Sequence, residues 1–240
     1  MSIAGPRPRR SQPAREEAEK PFWISFSDLM TALMVLFLVA MTVALLAITN
    51  DISETEQKEA TREEEISEFL DRLQLVTRDF PGVTLRGPVL DFGDRARFDT
   101  NSHRLNEAQA RLLRAFVPRI LDLARDPLGE KWLKRVVVEG FADARGGYLH
   151  NLHLSLLRSE RVLCALLLAP TSLEALSDTD RRLVRDLFLV GGASFNGLKS
   201  SPEESRRIEL RLEFLETGEP RLPGPLGGAD QDLHCPLDRS

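Results

Sequence analysis

Asp28 is the first residue of this sequence whose type and position could do chemistry, because it stands where an apolar segment begins. Residues 29–48 contain only Thr31 and Thr42 as polar interruptions and match the roughly 20 residues that cross a bilayer. A charged Asp at the centre of such a helix costs roughly 2.5–3.5 kcal/mol, and less toward the interface. Asp28 lies about one turn inside the cytoplasmic end, where it could simply be an interfacial residue, but its side chain is short and cannot reach water as that of Lys does. One charge that crosses 100 mV releases about 2.3 kcal/mol. We therefore predict that Asp28 lines an ion-conducting path, with Thr31 one turn further on to hydrogen-bond the carboxyl group or to line the same path.

A second set of polar residues at defined spacing lies in GFADARGGYLHNLHLSLLRSERV. Asp143 is followed by Asn151 eight residues later, by Leu154 and Ser155, and by Arg158 fifteen residues after the acid. This order resembles the OmpA-like peptidoglycan-binding domain, as do LDFGDRARFDTNSHRLNEAQARLL upstream and ESRRIELRLEF downstream. The resemblance covers roughly residues 83–216. It implies that Asp143 and Arg158 clamp the zwitterionic diaminopimelate end of a wall stem peptide, since an acid pairs with an ammonium and a guanidinium with a carboxylate.

The polar residues of the apolar segment share one side of a helix. A heptad stripe with steps of three and four collects nearly all of them, Ser27 excepted, and it consists of Ser25, Asp28, Thr31, Val35, Leu38, Thr42, Leu45 and Thr49. The other faces carry Leu, Met, Phe, Val and Ala. A polar stripe on one side predicts a protein partner or a water-filled path there.

The charges that flank the apolar segment predict its orientation. Basic residues precede it and acidic residues follow it: Arg7, Arg9, Arg10, Arg15 and Lys20, then Asp51, Glu54 and Glu56. Excess Lys and Arg stay in the cytoplasm. We expect a single-pass protein of the bacterial inner membrane with a cytoplasmic N-terminus and a periplasmic C-terminal domain. A cleaved signal peptide would have a shorter apolar core.

The remaining chain predicts an α+β fold after a helical linker. Residues 50–78 lack Pro and Gly and carry Ile66, Phe69, Leu70 and Leu73 at helical spacing. Strand-like segments then alternate with helices: VTLRGPVLDFG, ARF, KRVVVEGFA, LFLVGG and RRIELRLEF, with helices over 107–124, 152–168 and 178–186. We predict a sandwich whose helices cover one sheet face. The expected divisions are a cytoplasmic basic tail 1–20, a transmembrane helix 21–49, a periplasmic helical linker 50–80, an OmpA-like domain 81–217 and a C-terminal tail 218–240.

Two cysteines leave two interpretations open. A periplasmic location permits a disulfide between Cys164 and Cys235 that would pin the C-terminal tail, while Cys164 in the apolar run VLCALLLA could equally be a buried thiol. His150 and His153 have no further Cys or His at metal spacing, so we expect no metal site. No pairing of a nucleophile with a base is readable, and no cofactor is expected. The net charge of −5 argues against direct binding of nucleic acid. We predict that the protein is not an enzyme.

An acid-bearing single span followed by an OmpA-like domain is similar to the MotB-type subunits of peptidoglycan-anchored, ion-driven stators. Within that group, the run EKPFWISFSDLMTALMVLFLV and the short linker resemble the ZorB subunits of the Zorya anti-phage defence systems. The resemblance implies a homodimer inside a pentameric ring of ZorA-like membrane subunits. Ion flow past the Asp28 pair would turn the ring and signal to defence effectors, while the wall domain holds the dimer still.

Two alternative functions share these features. A flagellar MotB-type stator has the same parts, and a passive wall-anchored tether would keep the domain but not need the acid. Neutralising Asp28 should abolish stator function and leave a tether unchanged. The transported ion is expected to be H⁺, because only Thr31 and Ser27 add oxygen ligands near the acid; Na⁺ stays possible, since partner helices supply the rest of the path.

Overall fold

The computed structural model of the chain describes residues 19–168, 175–221 and 234–239. The predicted basic tail lies outside these residues except for its last two positions, as does most of the predicted C-terminal tail. The elements, in chain order, are α1 (Glu19–Thr77), β1 (Thr84–Arg86), β2 (Val89–Asp91), a 3₁₀ turn (Gly93–Ala96), α2 (Glu107–Arg125), α3 (Pro127–Trp132), β3 (Leu133–Gly140), α4 (Tyr148–Leu167), α5 (Asp178–Leu187), β4 (Phe188–Gly192), α6 (Pro202–Ser205), β5 (Ile208–Phe214) and a final 3₁₀ turn (Pro236–Arg239).

The chain divides into two compact units, Met1–Gln57 and Lys58–Ser240, and α1 contributes residues to both. In the first unit, α1 contains the one helical segment among the described residues that is long and apolar enough to cross a membrane. Its apolar side chains from Leu29 to Ile48 are exposed, as those of a lipid-facing helix must be. The sequence from 22 to 77 contains no Pro or Gly, so nothing local ends the helix at the predicted span boundary.

In the second unit, the last part of α1 belongs to the globular core. Phe69 and Leu73 are buried, and the Phe69 ring packs edge-on against Phe214 at 5.7 Å between centroids. The part of the predicted helical linker from Lys58 to Thr77, about five and a half helical turns, therefore belongs to the second compact unit, which begins at Lys58 rather than at residue 81.

Five strands form a mixed sheet in the order β1-β2-β5-β3-β4. Strands β3 and β4 are parallel, and the other neighbours are antiparallel. Strict alternation explains the central strand β5, where Ile208, Leu210 and Leu212 enter the core while Arg211 and Glu139 of β3 pair on the opposite face at 2.7 Å. The core lies between the sheet and the helices α2, α4 and α5. The predicted α+β class is confirmed.

Two local predictions differ from the structure. The run ARF is not a strand, because a 3₁₀ turn follows β2 and includes the first residue of the run. Gly93 begins this turn with a φ of 53°, which glycine adopts readily, and its amide donates to the Asp91 carboxylate at 2.9 Å. Helix α4 begins at Tyr148 rather than at residue 152, directly after the extended Gly147. By contrast, α2 begins at residue 107, as predicted, and the structure shows that Asn106 and Gln109 form a complete capping box at its start.

Candidate functional site

The predicted ion site lies on the exposed surface of the apolar part of α1. The Thr31 hydroxyl donates to the Ser27 carbonyl oxygen at 2.7 Å, as the hydroxyls of Thr42 and Thr49 do to carbonyls one turn back. A hydroxyl in an apolar helix finds its nearest acceptor in its own backbone. Thr31 therefore does not donate to Asp28. Its hydroxyl oxygen can still accept a hydrogen bond from a neighbouring group.

The Asp28 carboxylate is exposed on this helix. Within the described part of the chain, no side chain donates a hydrogen bond to it, and Ala32 and Val35 are the neighbours on its face. In lipid, such a carboxylate must be protonated, or it must meet hydrogen-bond donors or a water-filled path that a second polypeptide helps to form. The geometry thus leaves this acid open to partners on one side.

The second candidate site lies where β3 ends and α4 begins, in the loop 141–147. Helix α4 crosses the end of β3 so closely that a Cβ on Gly140 would lie 2.0 Å from the Ser155 carbonyl oxygen. The Ser155 hydroxyl donates to the Leu152 carbonyl at 2.8 Å and accepts from the Ser194 amide at 3.1 Å. This contact between a glycine and a serine sets the position of the loop that carries Asp143.

Asp143 accepts four hydrogen bonds from two arginines. Its Oδ1 accepts from the Arg145 backbone amide at 3.0 Å, and its Oδ2 accepts from Arg145 Nε at 3.1 Å, Arg145 Nη2 at 2.5 Å and Arg206 Nη1 at 2.9 Å. Hydrogen bonds from the Arg145 side chain, followed by those from Arg206, hold the pKa of Asp143 well below its usual range despite burial. The carboxyl group is therefore ionised at neutral pH.

Arg158 is fully buried beneath the same loop. Its Nε donates to the Ser102 carbonyl at 2.9 Å, its Nη1 to the Phe141 carbonyl at 2.5 Å and its Nη2 to the Asp99 carbonyl at 3.1 Å. Burial, then the nearby charge of Arg206, lowers the pKa of Arg158 to about 10. The guanidinium thus ties the 99–102 loop to the end of β3, and two of its five N–H groups are left for other acceptors.

The other predicted site residues support the loop from inside. Asn151 donates from Nδ2 to the Arg145 carbonyl at 2.9 Å, and Leu154 is buried at the start of α4 with Ser155 beside it. The structure brings Asp143, Asn151 and Arg158 to one end of the sheet. Asn151 acts on the loop backbone, whereas Arg158 contacts the carbonyl of Phe141, two residues before Asp143.

Arg145 and Arg206 are the site residues that the sequence reasoning missed. Arg206 is nearly buried and also donates to the Phe98 carbonyl at 2.9 Å and to Glu203 at 3.2 Å. Arg145 reaches across to the Thr100 hydroxyl at 3.2 Å. The sequence offered one signal for each: Arg145 stands two residues after the acid, and Arg206 lies in the closing segment ESRRIELRLEF.

The C-terminal residues are attached covalently to α4. A disulfide joins Cys164 and Cys235, whose Cα atoms are 5.5 Å apart, so the structure takes the first of the two interpretations left open. Arg161 of the same helix pairs with Asp238 at 2.6 Å. Residues 234–239 of the tail are therefore fixed to α4 at two points.

Comparison with known proteins gives three kinds of similarity. A family model described as membrane MotB of the proton-channel complex MotA/MotB matches residues 7–50. The Zorya protein ZorB of Escherichia coli O139:H28 (strain E24377A / ETEC) is 46% identical over 215 residues, which cover 88% of this chain and 86% of that protein. The periplasmic domain of Helicobacter pylori MotB is 14% identical with a TM-score of 0.39, covering 57% of this chain and 83% of that one. The cell wall anchor of the T6SS from Pseudomonas aeruginosa is 23% identical with a TM-score of 0.37, covering 59% and 94%.

Proposed function

This chain belongs to the family of the Zorya protein ZorB, which makes it a MotB-like, stator-type subunit, and from this premise we propose that it conducts ions in a peptidoglycan-anchored rotary motor of the inner membrane. In this proposal, ion flow past Asp28 drives anti-phage defence signalling. The protein acts without catalysing a covalent reaction.

The observation that carries the proposal is the Asp28 carboxylate on the surface of an apolar helix, with no donor from its own chain among the described residues. Carboxylates in membrane helices face partner helices or water and commonly mark ion pathways. We assign H⁺ as the transported ion because a lone carboxylate carries a proton without a further ligand set. Thr31 lies one turn on, and its lone pairs can accept from water in the path.

The partners follow from the polar stripe of α1. Two copies of the chain would place their Asp28 residues inside a pentameric ring of ZorA-like subunits, which shields the acids from lipid. The basic N-terminal tail would stay in the cytoplasm and the second unit would lie in the periplasm. There the Asp143 loop would bind the diaminopimelate stem peptide of peptidoglycan, with Asn151, Leu154, Ser155 and Arg158 supporting it, and hold the dimer still against the ring.

The test is phage protection by cells that carry the whole operon. We expect Asp28→Asn to abolish protection at matched membrane levels, with the partner complex still assembled on purification. Asp28→Glu keeps an ionisable carboxyl and should retain part of the activity, and Thr49→Val on the same stripe is the matched control and should retain all of it.

Each other outcome identifies a different function. Full protection by Asp28→Asn would refute ion conduction and support a passive wall tether. A wild-type operon that gives no phage protection but restores swimming to a stator-deficient strain would support a flagellar role instead. Loss of the assembled complex in Asp28→Asn would give the acid an assembly role and contradict the conduction proposal.

A further inference from the structure

The Oδ2 atom of Asp143 is crowded with donors. Each carboxylate oxygen offers about two lone-pair positions, and this one accepts from Arg145 Nε, Arg145 Nη2 and Arg206 Nη1, while Oδ1 accepts from the Arg145 backbone amide. The Asp143 side chain is only 8% exposed, so little of the carboxylate is open to an incoming group. A ligand ammonium that takes Oδ2 must therefore replace a donor that is already bound there.

The two arginines differ in how firmly they are held. Arg206 is nearly buried, with its side chain 10% exposed, and it also donates to Phe98 and Glu203. The Arg145 side chain is 58% exposed, and among the described residues its one hydrogen bond beyond Asp143 is to the Thr100 hydroxyl, at 3.2 Å. The Arg145 guanidinium is already in contact with water, so moving it away buries and exposes no new cation. Asp143 then keeps the Arg206 donor, and the ligand ammonium replaces the two Arg145 side-chain donors. The Arg145 backbone amide can stay on Oδ1.

We propose that Arg145 is a resident competitor of the wall ligand: its guanidinium occupies the ammonium position on Asp143 and must be displaced before the ligand can bind. The inference rests on the proposed function, in which Asp143 receives the ammonium of a stem peptide. It adds that the free protein holds its own site closed with a side chain from the same loop. Wall binding is then an exchange of one cation for another. Its affinity depends on how much more strongly the ligand ammonium binds Asp143 than the Arg145 guanidinium does.

The exchange predicts that removing Arg145 strengthens binding. An exposed ion pair adds little to the free energy that holds Arg145 on Asp143, whereas its hydrogen bonds to the charged carboxylate add more. Loss of the competitor should therefore tighten ligand binding by about five- to tenfold. We expect this gain for both Arg145→Ala and Arg145→Gln. The reverse sign is expected for any arginine that itself contacts the ligand.

The experiment uses the full-length chain in detergent with two probes, free diaminopimelate by titration calorimetry and purified peptidoglycan sacculi by co-sedimentation. Arg119→Ala is the matched control, because Arg119 is a similarly exposed arginine that pairs with an aspartate, Asp79 on another surface, and its loss changes the net charge equally. Asp143→Asn tests the underlying site. Thermal unfolding of each variant verifies that it is folded.

The inference expects tighter binding by both Arg145 variants, unchanged binding by Arg119→Ala and lost binding by Asp143→Asn. Unchanged or weaker binding by the Arg145 variants, with binding still lost in Asp143→Asn, would overturn the competitor role alone and leave the wall site intact. If folded wild type and Arg145→Ala both fail to bind either probe, or if Asp143→Asn binds as wild type, the proposed wall site itself is wrong and the inference falls with it.

Discussion

Replacing Arg158 should lower the stability of the folded domain, whatever it does to ligand binding. The side chain is fully buried, and its guanidinium satisfies the carbonyls of Ser102, Phe141 and Asp99, with its Cζ 5.0 Å from the centroid of the Phe98 ring. An apolar replacement removes three hydrogen bonds from a charged donor, each worth about 1.5–3 kcal/mol in the free energy of unfolding. The Phe141 carbonyl, whose bond is fully buried, loses this donor, whereas the Asp99 carbonyl keeps the Ser102 amide at 3.2 Å. This loss is far larger than that expected of an exposed arginine.

Part of this loss in the free energy of unfolding is offset, because the variant no longer buries a charge. Burial lowers the pKa of Arg158 to about 10, which corresponds to roughly 3 kcal/mol spent on keeping the group ionised. The net destabilisation for Arg158→Met, which retains most of the packing volume, is then about 3 kcal/mol. Arg158→Ala also opens a cavity and should lose about 4–5 kcal/mol. For a domain of this size the midpoint of thermal unfolding falls by about 10 °C.

The assay is thermal and urea unfolding of the full-length chain in detergent, followed by near-UV circular dichroism, which reports the packed domain rather than helix content. Arg119→Ala should change the stability by no more than about 0.5 kcal/mol. A change below about 1 kcal/mol for Arg158→Met would refute the assigned role of the three carbonyl contacts. It would also mean that a binding defect in an Arg158 variant reports a ligand contact rather than a collapsed loop.

Two further predictions concern how the site is held in place. Gly140→Ala should cost about 1–3 kcal/mol of stability, because its Cβ would lie 2.0 Å from the Ser155 carbonyl oxygen; Gly147→Ala, which meets no atom within 4 Å, should be neutral in the same urea titration. Replacing both Cys164 and Cys235 by Ser should lower the unfolding free energy by about 2–4 kcal/mol, since the disulfide closes a loop with a sequence separation of 71. Dithiothreitol should destabilise the wild type equally and leave the double variant unchanged; an equal effect on both would refute the contribution of the bond.

Local pattern predicted most of the elements of the fold. The capping box at Asn106 starts α2, and alternation places Ile208 and Leu210 of β5 in the core. The run ARF was predicted wrongly as a strand, because its apolar residues belong to a turn whose direction depends on Gly93 and on packing of Phe98 in the core. The strand order was not predicted, because pairing β5 between β2 and β3 joins segments far apart in the sequence.

The place of Asp28 in the apolar helix could be read from the sequence, because it follows from composition alone. An acid within an apolar helix stands out by composition, and the hydrophobic requirement of lipid gives its position meaning. The roles of Asp28 and Thr31 in conduction stay predictions until the variants are measured. The contact of the Thr31 hydroxyl with its own backbone is a detail that only the helix geometry shows.

The sequence by itself determined where the span, the amphipathic helices and the alternating strands lie, because these follow from the periodicity of apolar side chains over a few residues. Only the tertiary structure decided which charge meets which acceptor. Arg158 reaches carbonyls that are 56, 17 and 59 residues away, and Arg206 meets Asp143 across 63 residues. A charged group is stabilised by the atoms within hydrogen-bond distance, and chain folding, not spacing along the sequence, brings those atoms there.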